Sequence, residues 1–207
     1  IFNSDWSKKR FIKDLDYIQA KSPKLTVIKQ SIDTKKVDIK SKKKIITFVG
    51  KLNSAKGYDI FGNSVIPILN KYKDWSSIVV GDEPREKISF SHSRLINLGF
   101  QKHESVLKIL EKSSIAVVCS RWNEPFGRTS LEAASRGCGV IISDRGGLKE
   151  TITDGIIVKK ITAKNFSNNI QKLIMNRKLL LKYQKNSIKN FYLTNSYASK
   201  KIDNYRD

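Results

Sequence analysis

Residues 115–143 read IAVVCSRWNEPFGRTSLEAASRGCGVIIS, and their organisation decides the fold. A β-branched apolar run, 115–119, stops at a loop that holds Pro125 and Gly127. A segment of helical period follows over 128–136, Gly137 stands where a C-terminal helix cap belongs, and a second apolar run occupies 139–143. Strands this apolar are buried on both faces, as they are when parallel strands are joined by helices that cover the sheet.

The same alternation extends outward. Further runs occur at 45–49 (IITFV), 77–80 (SIVV), 96–98 (INL) and 155–158 (GIIV), and helical segments read at 59–72, 104–113 and 163–175, with a short turn at 148–151. Six short strands separated by helices predict an α/β fold, a Rossmann-like doubly wound parallel sheet, over 45–177. Residues 178–192 and 196–206 continue as basic helices, so 178–207 reads as a C-terminal helical extension. Residues 23–44, with a proline and a lysine run, read as a linker after an N-terminal tail, 1–22.

In such a sheet, ligands gather outside the carboxyl ends of the strands. The first strand is followed by Gly50-Lys51-Leu52-Asn53-Ser54-Ala55-Lys56-Gly57, a glycine-bounded loop with two lysines ahead of a helix. The loop suits a phosphate, although its spacing matches neither GxGxxG nor GxxxxGK[ST], and solvated loop lysines explain it about as well. After the fourth strand, Pro125 and Gly127 shape a tight entry to the helix. The free N–H groups of Arg128, Thr129 and Ser130 suit a diphosphate at the positive end of the helix dipole. Glu132, a turn into the helix, suits a vicinal diol such as a ribose, and Glu124 in the loop suits the hydroxyls of a sugar. The plainer alternative is a solvated helix carboxylate and an unrelated loop carboxylate.

The chain has 207 residues, 40 basic against 19 acidic, for a net charge of +21. Hydrophobic residues at 39% and aromatics at 9% argue for a folded protein. No apolar run reaches the ~18 residues of a membrane span, and the start lacks the apolar centre of a secretory leader. Cys119 and Cys138 are too few for a disulfide framework and lack metal spacing with His92 or His103, which fits reduced thiols in the cytoplasm. Met175 is the only methionine, so Ile1 is read as internal to a longer protein. The charge lies at the flanks: residues 1–44 carry +8, 45–158 only +3, and 159–207 +10. Lysines outnumber arginines 31 to 9, which favours an AT-rich coding composition over a nucleic-acid surface, since groove and phosphate readers lean on arginine.

In family order, four stretches of this chain are VIKQSID (27–33), FVGKLNSAKG (48–57), EPFGRTSLE (124–132) and SDRGGLKE (143–150). They resemble the linker, the FVGRLxxxKG loop, the E-x7-E signature and the GG-x-x-E loop of the retaining, nucleotide-sugar-dependent glycosyltransferases of family 4, the group 1 glycosyltransferases. Lys51 stands where that family usually has arginine, and Gln30-Ser31 where it has Asn-Gly. The resemblance implies one half of a GT-B fold, the donor-binding half, facing an N-terminal acceptor domain across a cleft. It implies that Lys51 and Lys56 neutralise the donor diphosphate, Glu124 holds the donor sugar and Glu132 the nucleotide ribose. The backbone at Phe126, Gly127, Arg128 and Thr129 completes the cradle beside Gly50, and Gly99 and Phe100 border the base.

The implied reaction moves a sugar from a nucleoside diphosphate sugar to an acceptor hydroxyl of a glycan or glycolipid, with retention and without a metal or other cofactor. Family precedent points to bacterial surface polysaccharide or lipopolysaccharide, made at the inner face of the cell membrane, with the basic flanks available to anionic lipid. Two other readings compete: a non-catalytic basic module holding nucleic acid or membrane, and a nucleotide-sugar epimerase, for which no suitable histidine is evident. Trp122 is expected either to border the donor site or to pack under its loop, Asp82 and Glu83 either to approach the nucleotide base or, as the better reading, to form a solvated turn, and His103 to flank or cap the helix after the third strand.

Overall fold

The apolar runs become six parallel strands in a computed structural model that describes residues 1–14 and 25–206. The end of the expected N-terminal tail and the first residues of the expected linker, 15–24, lie outside the described residues. The strands are β1 (Lys43–Val49), β2 (Ser76–Val80), β3 (Leu95–Asn97), β4 (Ser113–Val118), β5 (Gly139–Ser143) and β6 (Ile156–Val158). The helices are α1 (Asp5–Asp14), α2 (Tyr58–Lys71), α3 (His103–Lys112), α4 (Arg128–Ser135), α5 (Ala163–Met175), α6 (Arg177–Lys189) and α7 (Asn195–Arg206). β1 takes in Lys43 and Lys44 of the expected linker, because Lys43 pairs with Ser113 of β4 and its carbonyl also accepts the Ser114 hydroxyl at 2.6 Å.

The strand order is β3-β2-β1-β4-β5-β6. The chain builds outward from β1, returns to its other side at β4 and builds outward again, so the direction of winding reverses between β1 and β4. Loops leaving the carboxyl ends of these two neighbours splay apart and leave a crevice there.

Two apolar layers form because successive side chains of a strand point to opposite faces. Ile46, Phe48, Ile115, Val117 and Ile141 pack toward α2 and α5, against Phe61, Val65, Phe166 and Ile170. The intervening Ala116, Val140 and Ile142 pack toward α3 and α4, against Val106, Leu110, Ala133 and Ala134. A smaller cluster joins Ile32 of the extended segment before β1, Phe126 of the loop after β4, Leu131 of α4 and Leu193 between α6 and α7. The chain outside the sheet therefore supports the loop after β4 from beneath.

Where the resembling linker has Asn-Gly, Gln30-Ser31 follows an ordinary path: among the described residues, no residue other than glycine has a positive φ. No helix among the described residues is long and apolar enough to cross a membrane.

Candidate active site

Both loops at the crevice are held by backbone contacts that only glycine permits. Gly57, which starts α2, has φ +74°, and a Cβ there would lie 2.1 Å from the Cys119 carbonyl oxygen. The loop after β1 thus sits directly on the end of β4. Asn53 braces it, accepting the Lys56 N–H at 2.9 Å and donating to Glu83 at 3.1 Å. Arg85 fixes Glu83 through two guanidinium hydrogen bonds of 2.6 and 2.8 Å and holds its carboxyl down to about 2. Arg121, after β4, clamps Asp59 in the first turn of α2 with two bonds of 2.6 Å and also donates to the Ser54 carbonyl.

This bracing brings Lys56 to Glu124. The ammonium lies 2.5 Å from Oε1, which also accepts the Ser120 hydroxyl at 2.9 Å. Gly127 then starts α4 with φ +115° and no side-chain cap, so the first-turn amides of that helix point into the crevice without a capping acceptor. Lys56, Glu124, Phe126, Gly127, Arg128 and Thr129 line one cavity of about 350 Å³, with Gly50 at its floor. A second cavity of about 260 Å³ adjoins it at Gly50 and is lined by Lys51, Asp82, Phe100 and Gln101.

The Glu124 loop is enclosed by two further segments. The Gly147 N–H donates to the Glu124 carbonyl at 2.7 Å, and a Cβ on Gly146 would lie 2.1 Å from that same oxygen. On the other side, Ser4 and Ser7 donate to the Pro125 carbonyl. Glu150 accepts the N–H groups of Asp5 and Trp6, both at 2.9 Å, and so caps α1 from far along the chain. Lys29 completes this clasp at 3.1 Å from Glu150 and 3.2 Å from Asp5. Burial alone would lower the Lys29 ammonium, but the two carboxylates outweigh it and hold it well above its ordinary value.

The family model described as glycosyl transferases group 1 matches residues 29–190.

The chain belongs to that family.

Among curated relatives of this group 1 glycosyltransferase chain, the putative glycosyltransferase YtcC of Bacillus subtilis is 25% identical over 180 residues, 78% of this chain and 44% of YtcC. The lipopolysaccharide core biosynthesis mannosyltransferase LpsB of Rhizobium meliloti is 27% identical over 186 residues, 74% of this chain and 52% of LpsB. The chain spans about half the length of these relatives. Among solved structures, HepE of Anabaena in complex with UDP and glucose superimposes with a TM-score of 0.79 at 17% identity, covering 98% of this chain and 61% of HepE. The C-terminal domain of the Francisella tularensis group 1 protein LpcC matches with a TM-score of 0.62 at 24% identity, covering 76% of this chain and 85% of that domain. The fold is therefore that of a Rossmann-like half of GT-B glycosyltransferases.

The group 1 residues singled out in the sequence sort into three groups. Lys56, Glu124, Gly50 and residues 126–129 share the first cavity, while Lys51 and Phe100 lie with Gly50 at the second. Glu132 and Gly99 line neither: Gly99 accepts the Gly81 N–H, and Glu132 lies behind Arg128, only 6% exposed. That burial excludes the solvated-carboxylate reading of Glu132. Trp122 does not pack under its loop: it is 61% exposed, although its backbone N–H donates to the Ala55 carbonyl. Glu83 is tied to Asn53 and Arg85 rather than standing in a free turn. His103 is the first residue of α3 and so stands at its edge as expected, with Lys102 in the cap position, and its imidazole meets Glu132.

Sequence reading missed the Arg121–Asp59 clamp, the Glu150 clasp and the His103 contact, each of which joins residues from separate elements. The chain also contains one Asp-x-Asp triplet, Asp14-Leu15-Asp16, a carboxylate spacing that would weigh against metal independence. Asp14 pairs with Arg10 at 2.9 Å, and Asp16 lies outside the described residues.

Proposed function

We propose that this chain is the donor-binding part, over 45–177, of a retaining glycosyltransferase that moves a sugar from a nucleoside diphosphate sugar to an acceptor hydroxyl. The observation that carries the reading is the Lys56–Glu124 pair, 2.5 Å apart, at the uncapped start of α4. A cation and a row of free amides suit a diphosphate, and a carboxylate beside them suits the hydroxyls of the attached sugar. The UDP and glucose bound by HepE, and the mannosyl transfer named for LpsB, support this chemistry.

In this reading the diphosphate lies along the first turn of α4, with Lys56 and Lys51 offsetting its charge. As the bond between the anomeric carbon and the phosphate oxygen breaks, negative charge grows on that oxygen, where fixed donors stabilise it most. The acceptor oxygen bonds to the anomeric carbon from the same face, and its proton passes to the departing phosphate. Glu124 orients the sugar and is no nucleophile; Glu132 receives the ribose diol. The lysines and the helix N-terminus supply the positive charge, so no metal is required.

The acceptor, a glycan or glycolipid of the bacterial surface, is brought to the cleft by a second domain. The basic linker and residues 178–207 contact anionic lipid there, so co-sedimentation with phosphatidylglycerol vesicles should be strong at low salt and lost at high salt.

A panel of UDP, GDP and ADP sugars scored by thermal shift tests the donor assignment. One nucleotide class should raise the melting temperature saturably. Glu132→Ala should weaken its binding by roughly 10-fold or more, as expected for loss of hydrogen bonds to a charged group. Glu124→Ala should leave nucleotide binding near wild type and abolish the added stabilisation from the sugar. Identical behaviour of both variants and the wild type would overturn the site.

A further inference from the structure

One oxygen of the Glu132 carboxylate is held twice and the other is left open. Oε1 accepts His103 Nε2 at 3.0 Å and Arg128 Nε at 3.3 Å. Oε2 accepts from no side chain or amide among the described residues, and it is not sealed from solvent. The carboxylate is 7% exposed, whereas the imidazole is 52% exposed and the guanidinium 51%. Both donors stand at the first residues of helices, His103 at the start of α3 and Arg128 at the start of α4.

The two donors are not equivalent. Arg128 is the i,i+4 neighbour of Glu132 on the same short helix, and at 3.3 Å its bond is long for a charged pair. It can follow the carboxylate wherever the side chain turns. His103 comes from a different helix, so its bond fixes the carboxylate relative to the body of the fold. A glutamate has three side-chain torsions, and freezing them costs conformational entropy that a ligand must otherwise supply on binding.

We infer that His103 is a positioning residue for ribose recognition: it pins Oε1 of Glu132 so that Oε2 is presented, already oriented, to the 2′,3′-diol of the bound nucleotide. Resting on the assignment of Glu132 to the ribose, this makes selection of ribonucleotides over nucleotides lacking the diol a property of the α3–α4 pair. The imidazole donates through Nε2–H, so its effect passes through the carboxylate and needs no contact with the ligand.

The test is calorimetric titration of the chain with the nucleoside diphosphate it binds best among UDP, GDP and ADP, and with the 2′,3′-dideoxy form of the same nucleotide. His103→Ala should weaken the ribonucleotide by about 5- to 20-fold and leave the dideoxy nucleotide within 2-fold, shrinking the ratio between them. His103→Gln, whose amide N–H reaches toward the same oxygen, should restore most of the ratio. In Glu132→Gln the ratio should collapse, and adding His103→Ala should then change nothing further. An unchanged ratio in His103→Ala, with collapse in Glu132→Gln, overturns the inference and leaves the donor site standing. Equal weakening of both nucleotides by His103→Ala marks a structural loss and also overturns it. An unchanged ratio in Glu132→Gln removes the ribose from Glu132, and both readings fall together.

Discussion

At the scale of single residues, the crevice depends on glycines where backbone meets backbone. Gly146 has φ +57° and faces the Glu124 carbonyl so closely that a methyl group has no room. The left-handed conformation alone costs an L residue about 1–2 kcal/mol, and the clash adds to it. Gly146→Ala should therefore lower stability by roughly 2–4 kcal/mol, read from the urea midpoint. It should also weaken donor-sugar recognition more than nucleotide recognition, because the displaced loop is the one carrying Glu124. Cys119 is a contrasting case. Its thiol is fully buried under Gly57 and burial pushes it far above the ordinary range, so it is a packing residue and not a nucleophile.

At the scale of elements, two clasps order pieces that their own sequences would leave loose. Helix α1 buries no residue, so its apolar contacts do not hold it. Glu150 does, by satisfying two of its first-turn amides. Glu150→Ala should remove a cap worth about 0.5–2 kcal/mol and speed amide exchange throughout α1 while leaving β1 and β4 protected, as hydrogen–deuterium exchange would report. The Arg121–Asp59 clamp ties the loop after β4 to α2. The Arg121 guanidinium holds the Asp59 carboxyl below its ordinary 3.8, so the pair's contribution is complete above that pH and is lost as the pH falls through the lower folded-state value. With Asp59 partly exposed, that contribution is roughly 0.5–1 kcal/mol. Asp59→Asn should be less stable than the parent at pH 7, and the gap should close as the pH falls below 3.8.

At the scale of the whole molecule, the parallel sheet is a rigid platform whose winding reverses between β1 and β4, and the proposed chemistry sits on the loops of those two strands. The central strands β4 and β5 are almost wholly buried, so the platform deforms little there, and ligand binding is expected to stabilise it as a unit. A nucleotide at 100 times its dissociation constant should add about 2.7 kcal/mol to the unfolding free energy, checked by urea titration with and without ligand. Residues 1–207 alone should hold a donor and transfer nothing, since the acceptor is assigned to a second domain. Turnover by this chain in a radiolabelled-sugar assay would overturn that division.

Much of this architecture was readable in local patterns. The period of apolar residues marks strands and helices because burial repeats every two residues in one and every 3.6 in the other. The spacing of Glu124, Gly127 and Glu132 marks a loop and helix start whose free amides are a local property of any helix. What only the tertiary structure decided is which side chains meet: Lys56 with Glu124, Arg121 with Asp59, Glu150 with the amides of α1, and His103 with Glu132. A lone histidine at a helix start carries no local sign of its partner, since Glu132 lies 29 positions away on another helix. Electrostatic and hydrogen-bond energies depend on separation in space and on exclusion of water, and both arise only once the layers have packed.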